Sequence, residues 1–506
     1  MSTNSSVREA AVPGWLRNLS QSAPLQILAL VSLFSVAARN GAVRLTALAD
    51  SDIWWHLRTG LWILQTHGVP HSGLFSQHAS LPWIDSSWGF DLLTAATYRV
   101  FGLRGLPMLL MIFQVGVAAA LFLLARGSRQ TFWPALLLVA VAQYGISLLQ
   151  LRPALCSVIL LAVELAILFV SRRTGKSRIL YWLPVLFVAW VNLDRQFCYG
   201  MLALALFCIA VGGEYFLRRS GVAWLDTGGP AINPGTLGAA FIACLLATLV
   251  SPYTYHLHQL VWQSASSSAI DWYLRELHAM RFRQPQDFLL MLLVMTAFFA
   301  LGRRRSPDLF AISLLVVCGV ISFRFQRDSW LVVVASVGII GNALATSLPE
   351  EGRDASRRIP WTQKLVIGGM VLILLTIFAL RLPPNSVLMA KVGESFPVRA
   401  ADYVRQNRLP HPLFNSNAWG GFLTWYLPEY PVAIDGRIDL YGDAVNIPYF
   451  ELSMARIPLE SHPDFAQAQT ILLEANSPMA EALATLPGFR VAYRDEQAIV
   501  LVRERR

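Results

Sequence analysis

Charge is what this chain has least of. Only 14% of its 506 residues are Asp, Glu, Lys or Arg, against about 25% in a soluble globular domain. The deficit falls in apolar runs separated by short polar loops, and 55% of all residues are hydrophobic. Runs of that kind are the mark of helices crossing a hydrocarbon layer about 30 Å thick. A soluble nucleic-acid binder is thereby excluded, and the net charge of +10 has a simpler source in the loops of a membrane protein. Cysteine is also scarce. Cys156, Cys198, Cys208, Cys244 and Cys318 all lie in or beside apolar segments without metal-ligand spacing, so they read as buried thiols and no disulfide framework is expected. There is no fixed-period repeat, nucleotide-binding glycine loop, serine-hydrolase elbow or metalloprotease motif.

What is present reads as a membrane all-α bundle of about eleven transmembrane helices followed by a small α/β domain. Spans are expected near 25–46, 104–125, 131–149, 153–171, 179–193, 197–217, 235–251, 287–301, 308–322, 329–347 and 363–382. With no cleavage-site pattern before the first run, that run is expected to be a retained helix behind a cytoplasmic tail, residues 1–24. Basic residues then fix the orientation. Arg8, Arg17, Arg126, Arg129, Arg172, Arg173, Lys176, Arg178, Arg218, Arg219, Arg303, Arg304, Arg305, Arg353, Arg357, Arg358 and Lys364 all fall on one side, which is the cytoplasmic side.

The polytopic domain thus covers 25–382, with outer loops at 47–103 and 252–286. Residues 383–506 form an extracytoplasmic domain in which short strands alternate with helices. Strands are expected at 413–414, 431–434 and 470–473, with a hairpin of 489–493 and 498–502.

The most informative stretch is Asp50-Ser51-Asp52-Ile53-Trp54-Trp55-His56, at the outer mouth of the bundle. Ser51 or Asp50 caps a helix beginning at Asp52, and His56 lies four residues on, on the same face. Capping accounts for one carboxylate and accounts poorly for two. The pair therefore reads as catalytic or metal-binding, and Trp54 and Trp55 place the helix in the membrane interface. Further along the loop, Asp85 and Asp91 read as solvated or capping residues, and His67, His71 and His78 lack zinc spacing.

Arg152, Arg195, Arg324 and Arg327 lie at outer ends of spans. Each either snorkels to lipid headgroups or grips a phosphate, and Arg152 and Arg327 are the preferred phosphate ligands. Asp271 and Glu276 of the second outer loop are either site residues or interfacial anchors. Glu164, within a span, is expected to face the bundle interior. In the outer domain, Asn415 to Gly421 and Asp435-Gly436-Arg437-Ile438-Asp439 each follow an expected strand, where ligand clefts form. Asp435 and Arg437 are either ligand-binding or a buried ion pair.

With its first-loop acidic pair, interfacial helices and trailing domain carrying Trp419-Gly420-Gly421 and Asp435-Gly436-Arg437, the chain resembles a bacterial member of the GT-C superfamily. That superfamily includes polytopic protein mannosyltransferases and oligosaccharyltransferase catalytic subunits. The resemblance implies transfer of a sugar from a polyprenyl-phosphate donor to an extracytoplasmic acceptor at the bacterial inner membrane. Asp50 or Asp52 would serve as general base or as ligand to a divalent cation, and an outer arginine would hold the carrier phosphate. The chain departs from oligosaccharyltransferases in lacking their Trp-Trp-Asp acceptor signature. The rival readings are a lipid-linked solute carrier or flippase, and a non-catalytic scaffold for envelope assembly. The absence of repeated halves weighs against the carrier, and the number of spans against the scaffold.

Overall fold

A computed structural model describes residues 22–43, 45–127, 131–146, 150–220, 232–266, 273–304, 307–347 and 361–504. Arg8, Arg17, Arg129, Arg305, Arg353, Arg357 and Arg358 of the charge argument lie outside these residues, as does Asp271. The chain is predominantly helical. The helices used below are α1 (Ala23–Val43), α2 (Asp52–Thr66), α3 (Trp88–Phe101), α4 (Gly105–Ala125), α5 (Phe132–Ile146), α6 (Ala154–Thr174) and α7 (Leu183–Leu193). They continue with α8 (Phe197–Arg219), α9 (Pro234–Ala247), α10 (His256–Ser266), α11 (Pro285–Gly302), α12 (Leu309–Arg324), α13 (Trp330–Thr346) and α14 (Trp361–Leu380).

Among the described residues, seven helical stretches are long and apolar enough to cross a membrane. Four shorter apolar helices, α5, α7 with its preceding turn, α9 and α12, lie where the remaining spans were expected. Their ends follow local chemistry. Pro285 opens α11 behind a capping box of Gln284 and Asp287, Asp308 caps α12 through the amide of Ala311, and Gly175 takes a left-handed conformation to stop α6. The most enclosed helix is α13, whose Gly341 lets it press against the backbone of Ala125 on α4. By contrast, α14 has no buried residue and rests beside α1, as a lipid-facing helix would.

Beyond α14 come α15 (Asn385–Val392) and α16 (Val398–Gln406), then a four-stranded sheet with its helices. The strands are β1 (Leu413–Asn415), β2 (Thr470–Glu474), β3 (Phe489–Arg494) and β4 (Ala498–Arg503), in the order β1-β2-β4-β3. Strand β1 runs parallel to β2, and the other pairs are antiparallel. Helices α17 (Asn417–Tyr426) and α18 (Ile438–Ser453) follow β1 in sequence, and α19 (Pro478–Thr485) follows β2.

One expected strand is absent. Residues 431–434 make a single bridge, Val432 with Ser76 of the first outer loop, instead of joining the sheet. Their apolar run is buried, but its ladder partner is a loop from another part of the chain. The first outer loop is clasped here: Val432 N–H donates to Phe75, Gln77 N–H donates to Val432, and Gln77 Nε2 donates to the carbonyls of Leu413 and Pro431.

Candidate active site

Helix α2 brings the first outer loop and the outer domain together. Its first turn is held by Asp50, whose Oδ1 accepts the Asp52 N–H at 3.1 Å. Asp50 faces Arg152, which donates from Nε to Oδ2 at 2.7 Å and from Nη2 to Oδ1 at 3.0 Å. The same guanidinium lies 3.2 Å from Asp52 Oδ2 and donates to Glu276 Oε2 at 3.0 Å. Three carboxylates from two outer loops therefore converge on one arginine.

They differ in access. The Asp50 side chain is 1% exposed, Asp52 23% and Glu276 40%, so Asp50 is sealed by its ion pair while Asp52 still reaches solvent. Burial pushes the Asp52 carboxyl from 3.8 up to about 6. The Arg152 charge opposes the rise, and Asp50 and Glu276 add to it. Burial works against the Arg152 charge as well, but Asp52, Asp50 and Glu276 outweigh it and hold that guanidinium protonated. A divalent cation does not fit this arrangement, because the guanidinium already occupies the place between the carboxylates. Among the described residues no group of three His, Cys, Asp or Glu side chains is arranged to hold a metal.

The outer domain closes on this point through two glycines. A Cβ on Gly436 would stand 2.0 Å from Asp52 Oδ1, and one on Gly421 2.2 Å from the Ser51 carbonyl oxygen. Only a residue without a side chain permits such approach, so both motifs marked in the outer domain pack directly onto the acidic loop. Trp55 Nε1 lies 3.4 Å from that same Gly436 position and is buried, with no hydrogen-bond partner among the described residues. It is a spare donor beside Asp52.

The other expected site residues are distributed differently. Trp54 is fully buried, stacked on Trp425 at 4.6 Å and edge-on to Phe396 and Phe422. Helix α2 was expected to lie in the lipid interface; the Trp54 side is instead covered by the outer domain. Asp435 and Arg437 form a buried bidentate pair, with Arg437 over the Trp83 ring, and so support the loop that carries Gly436. Among the described residues Arg327 meets Asp328 at 3.5 Å, and its Nε makes no hydrogen bond. Asp328 is already engaged by Gln196 at 2.8 Å and Tyr199 at 2.7 Å. Arg327 Nε is therefore a donor to spare beside Asp328, and Tyr199, which holds Asp328, also borders a narrow apolar seam of about 10 Å³ between α8 and α12.

Sequence reasoning missed three features. Asp85 and Asp91, read as solvated or capping, are both buried: Asp85 Oδ1 accepts the Ser87 N–H at 3.1 Å ahead of α3, and Asp91 Oδ1 lies 2.6 Å from His56 Nδ1. Arg195 pairs with Asp439 of the outer domain, which also accepts from Ser264 at 3.1 Å. An apolar hollow of about 490 Å³ lies near His67 and Trp88 and contains no carboxylate. As expected, Glu164 is buried inside the bundle, near Trp190 and Gly200, with neither oxygen hydrogen-bonded among the described residues.

No family model matches the chain, and no curated protein matches its sequence. Two solved structures are similar to it along most of its length. ArnT from Cupriavidus metallidurans, solved bound to undecaprenyl phosphate, is 14% identical, with 97% of this chain and 98% of that chain covered, at a TM-score of 0.43. The Archaeoglobus fulgidus oligosaccharyltransferase, in complex with Zn and sulfate, is 11% identical, with 94% of this chain and 73% of that chain covered, at a TM-score of 0.47. At those scores neither likeness assigns a residue or a reaction to this chain.

Proposed function

We propose that the protein is an integral membrane glycosyltransferase that moves a sugar from a polyprenyl-phosphate donor to an acceptor hydroxyl outside the cytoplasm. The observation that carries this reading is Asp52: a partly exposed carboxylate on an apolar bundle, raised to about 6, flanked by an unpartnered indole N–H and roofed by a glycine of the outer domain. Such a group is basic enough to take a hydroxyl proton near neutral pH and is ionised enough to be ready for it. Asp52 is the base in this scheme, and Asp50 holds Arg152. The acceptor oxygen attacks the anomeric carbon as the bond from that carbon to the phosphate oxygen breaks, and the configuration inverts.

The donor's phosphate sits near Arg327. Arg327 suits this task better than Arg152, whose donors are already committed to carboxylates. A guanidinium with free donors matches phosphate oxygens in geometry and charge. The enzyme belongs, on this reading, to the bacterial inner membrane with the sheet domain outside. Glycolipid profiling of a deletion strain complemented with wild type, Asp52→Asn or Arg327→Ala tests the assignment. The expected result is one envelope glycoconjugate lost on deletion and restored by wild type alone. An unchanged profile on deletion, or full restoration by Asp52→Asn, contradicts it.

A further inference from the structure

Behind Asp52 lies a polar group that the reaction above does not use. His56 sits one helical turn after Asp52, buried between the Trp55 ring at 3.6 Å and the edge of Phe90 at 5.3 Å. Its Nδ1 lies 2.6 Å from Oδ1 of Asp91, on the neighbouring helix α3. Asp91 is fully buried and within reach of the Ser87 hydroxyl at 3.4 Å, which also lies 3.3 Å from Asp85. The two helices touch at this level, since Gly60 of α2 packs on the Asp91 carbonyl. Among the described residues no hydrogen-bond partner is found for Nε2 of His56. A buried carboxylate on one ring nitrogen and an open second nitrogen is an arrangement that fixes a histidine's tautomer.

We propose that Asp91 is a positioning residue for the transfer reaction: it holds the His56 proton on Nδ1, leaving Nε2 as a hydrogen-bond acceptor on the helix face shared with Asp52. This rests on the glycosyltransferase reading. When the acceptor oxygen bonds to the anomeric carbon, the electron pair of the broken bond leaves with the phosphate, and the hydroxyl proton passes to Asp52. The newly protonated Asp52 then donates to Nε2, which stabilises the base in its proton-bearing state. Burial holds His56 down to about 4, so the ring is neutral and can accept at neutral pH. The titratable and charged groups around it are Asp50 and Asp52 at the start of α2, Asp85 in the loop, Asp91 on α3, Arg152 beside the acids and Arg437, whose charge acts on Asp91. Burial pushes Asp85 and Asp91 well up from the ordinary carboxylate range, and the 2.6 Å contact with Nδ1 is what keeps the ring proton between His56 and Asp91.

The test is the pH profile of sugar transfer by the full-length protein in lipid nanodiscs, using polyprenyl-phosphate sugars. In Asp91→Asn the amide donates to Nδ1, which moves the ring proton to Nε2; Nε2 then donates to the Asp52 carboxylate and favours its ionised form. The expected result is an acid limb displaced to lower pH and kcat reduced by about tenfold or more, with donor KM unchanged. In a His56→Gln background, Asp91→Asn is expected to move the limb no further. An unmoved limb, a limb displaced upward, or a second Asp91→Asn effect of equal size without His56 each overturns the proposal. Should Asp91→Asn fail to fold, the limb of His56→Gln decides instead: it is expected below that of wild type, and an unmoved limb overturns the proposal. If wild type itself transfers no sugar, the reading beneath it falls instead, and the two failures are distinct.

Discussion

At the scale of single residues, the carboxylate doublet divides its labour by burial. Asp50 is enclosed by Arg152, and its removal or that of its partner acts on stability. Arg152→Ala leaves Asp50 buried against no cation, a loss expected to cost about 3–5 kcal/mol, measurable as a lowered melting temperature of the detergent-solubilised protein. Asp52 acts on rate. Its carboxyl is raised from 3.8 to about 6 chiefly by burial, so the folded state binds its proton more tightly than the unfolded chain does. The stability from that proton is present in full below pH 4 and is lost as pH rises through 6. Asp52→Asn should therefore melt higher than wild type above pH 6 and gain little below pH 4. Transfer by wild type should rise with pH up to about 6 and level off above it.

The doublet and His56 were legible because a helix places positions four apart on one face. What Arg152 does was not, since it sits 102 residues from Asp50 and its three partners come from two loops. Asp91 was misread for a related reason: an acid in the first turn of a helix has an adequate local explanation as a cap, and only the partner helix reveals a histidine against it.

At the scale of elements, the sheet domain packs directly on the acidic loop. Residues 470–474, 478–485 and the final hairpin follow their sequence patterns closely, as alternation and turn chemistry are local. Residues 431–434 do not, because a buried apolar run says nothing about whether its backbone partner is a strand or a loop. The two glycine motifs were visible as polar clusters, but their purpose appears only where Gly421 meets Ser51 and Gly436 meets Asp52. A Gly436→Val substitution should force the loop away from Asp52. Activity is expected to fall by about 100-fold or more, while the isolated loss of a close contact costs only about 1–3 kcal/mol of stability. Circular dichroism and transfer assays on one preparation check both. A second clasp, His78 to Asp464 at 2.9 Å, ties the first outer loop to the same domain.

At the scale of the whole molecule, the composition alone announced a polytopic membrane protein, and seven helical stretches of sufficient length and apolarity bear that out. The other four expected spans coincide with short apolar helices, for which length alone does not decide. Asp50 with Arg152, and Arg195 with Asp439, lie where the acidic loop and the bundle meet the sheet domain. Arg172 with Glu214 and Asp308, and Arg304 with Asp308, cluster where α6 ends and α12 begins. A carboxylate ready to accept a proton where an apolar bundle meets an outer domain is what a transferase of lipid-borne sugars needs. The most direct measurement is sugar incorporation from a panel of labelled polyprenyl-phosphate sugars into an envelope extract, by purified wild-type protein and by Asp52→Asn, both in nanodiscs. The account predicts incorporation from one donor by wild type and a fall of about 100-fold or more in the folded variant. Equal incorporation by the two proteins, or none from any donor, would contradict it.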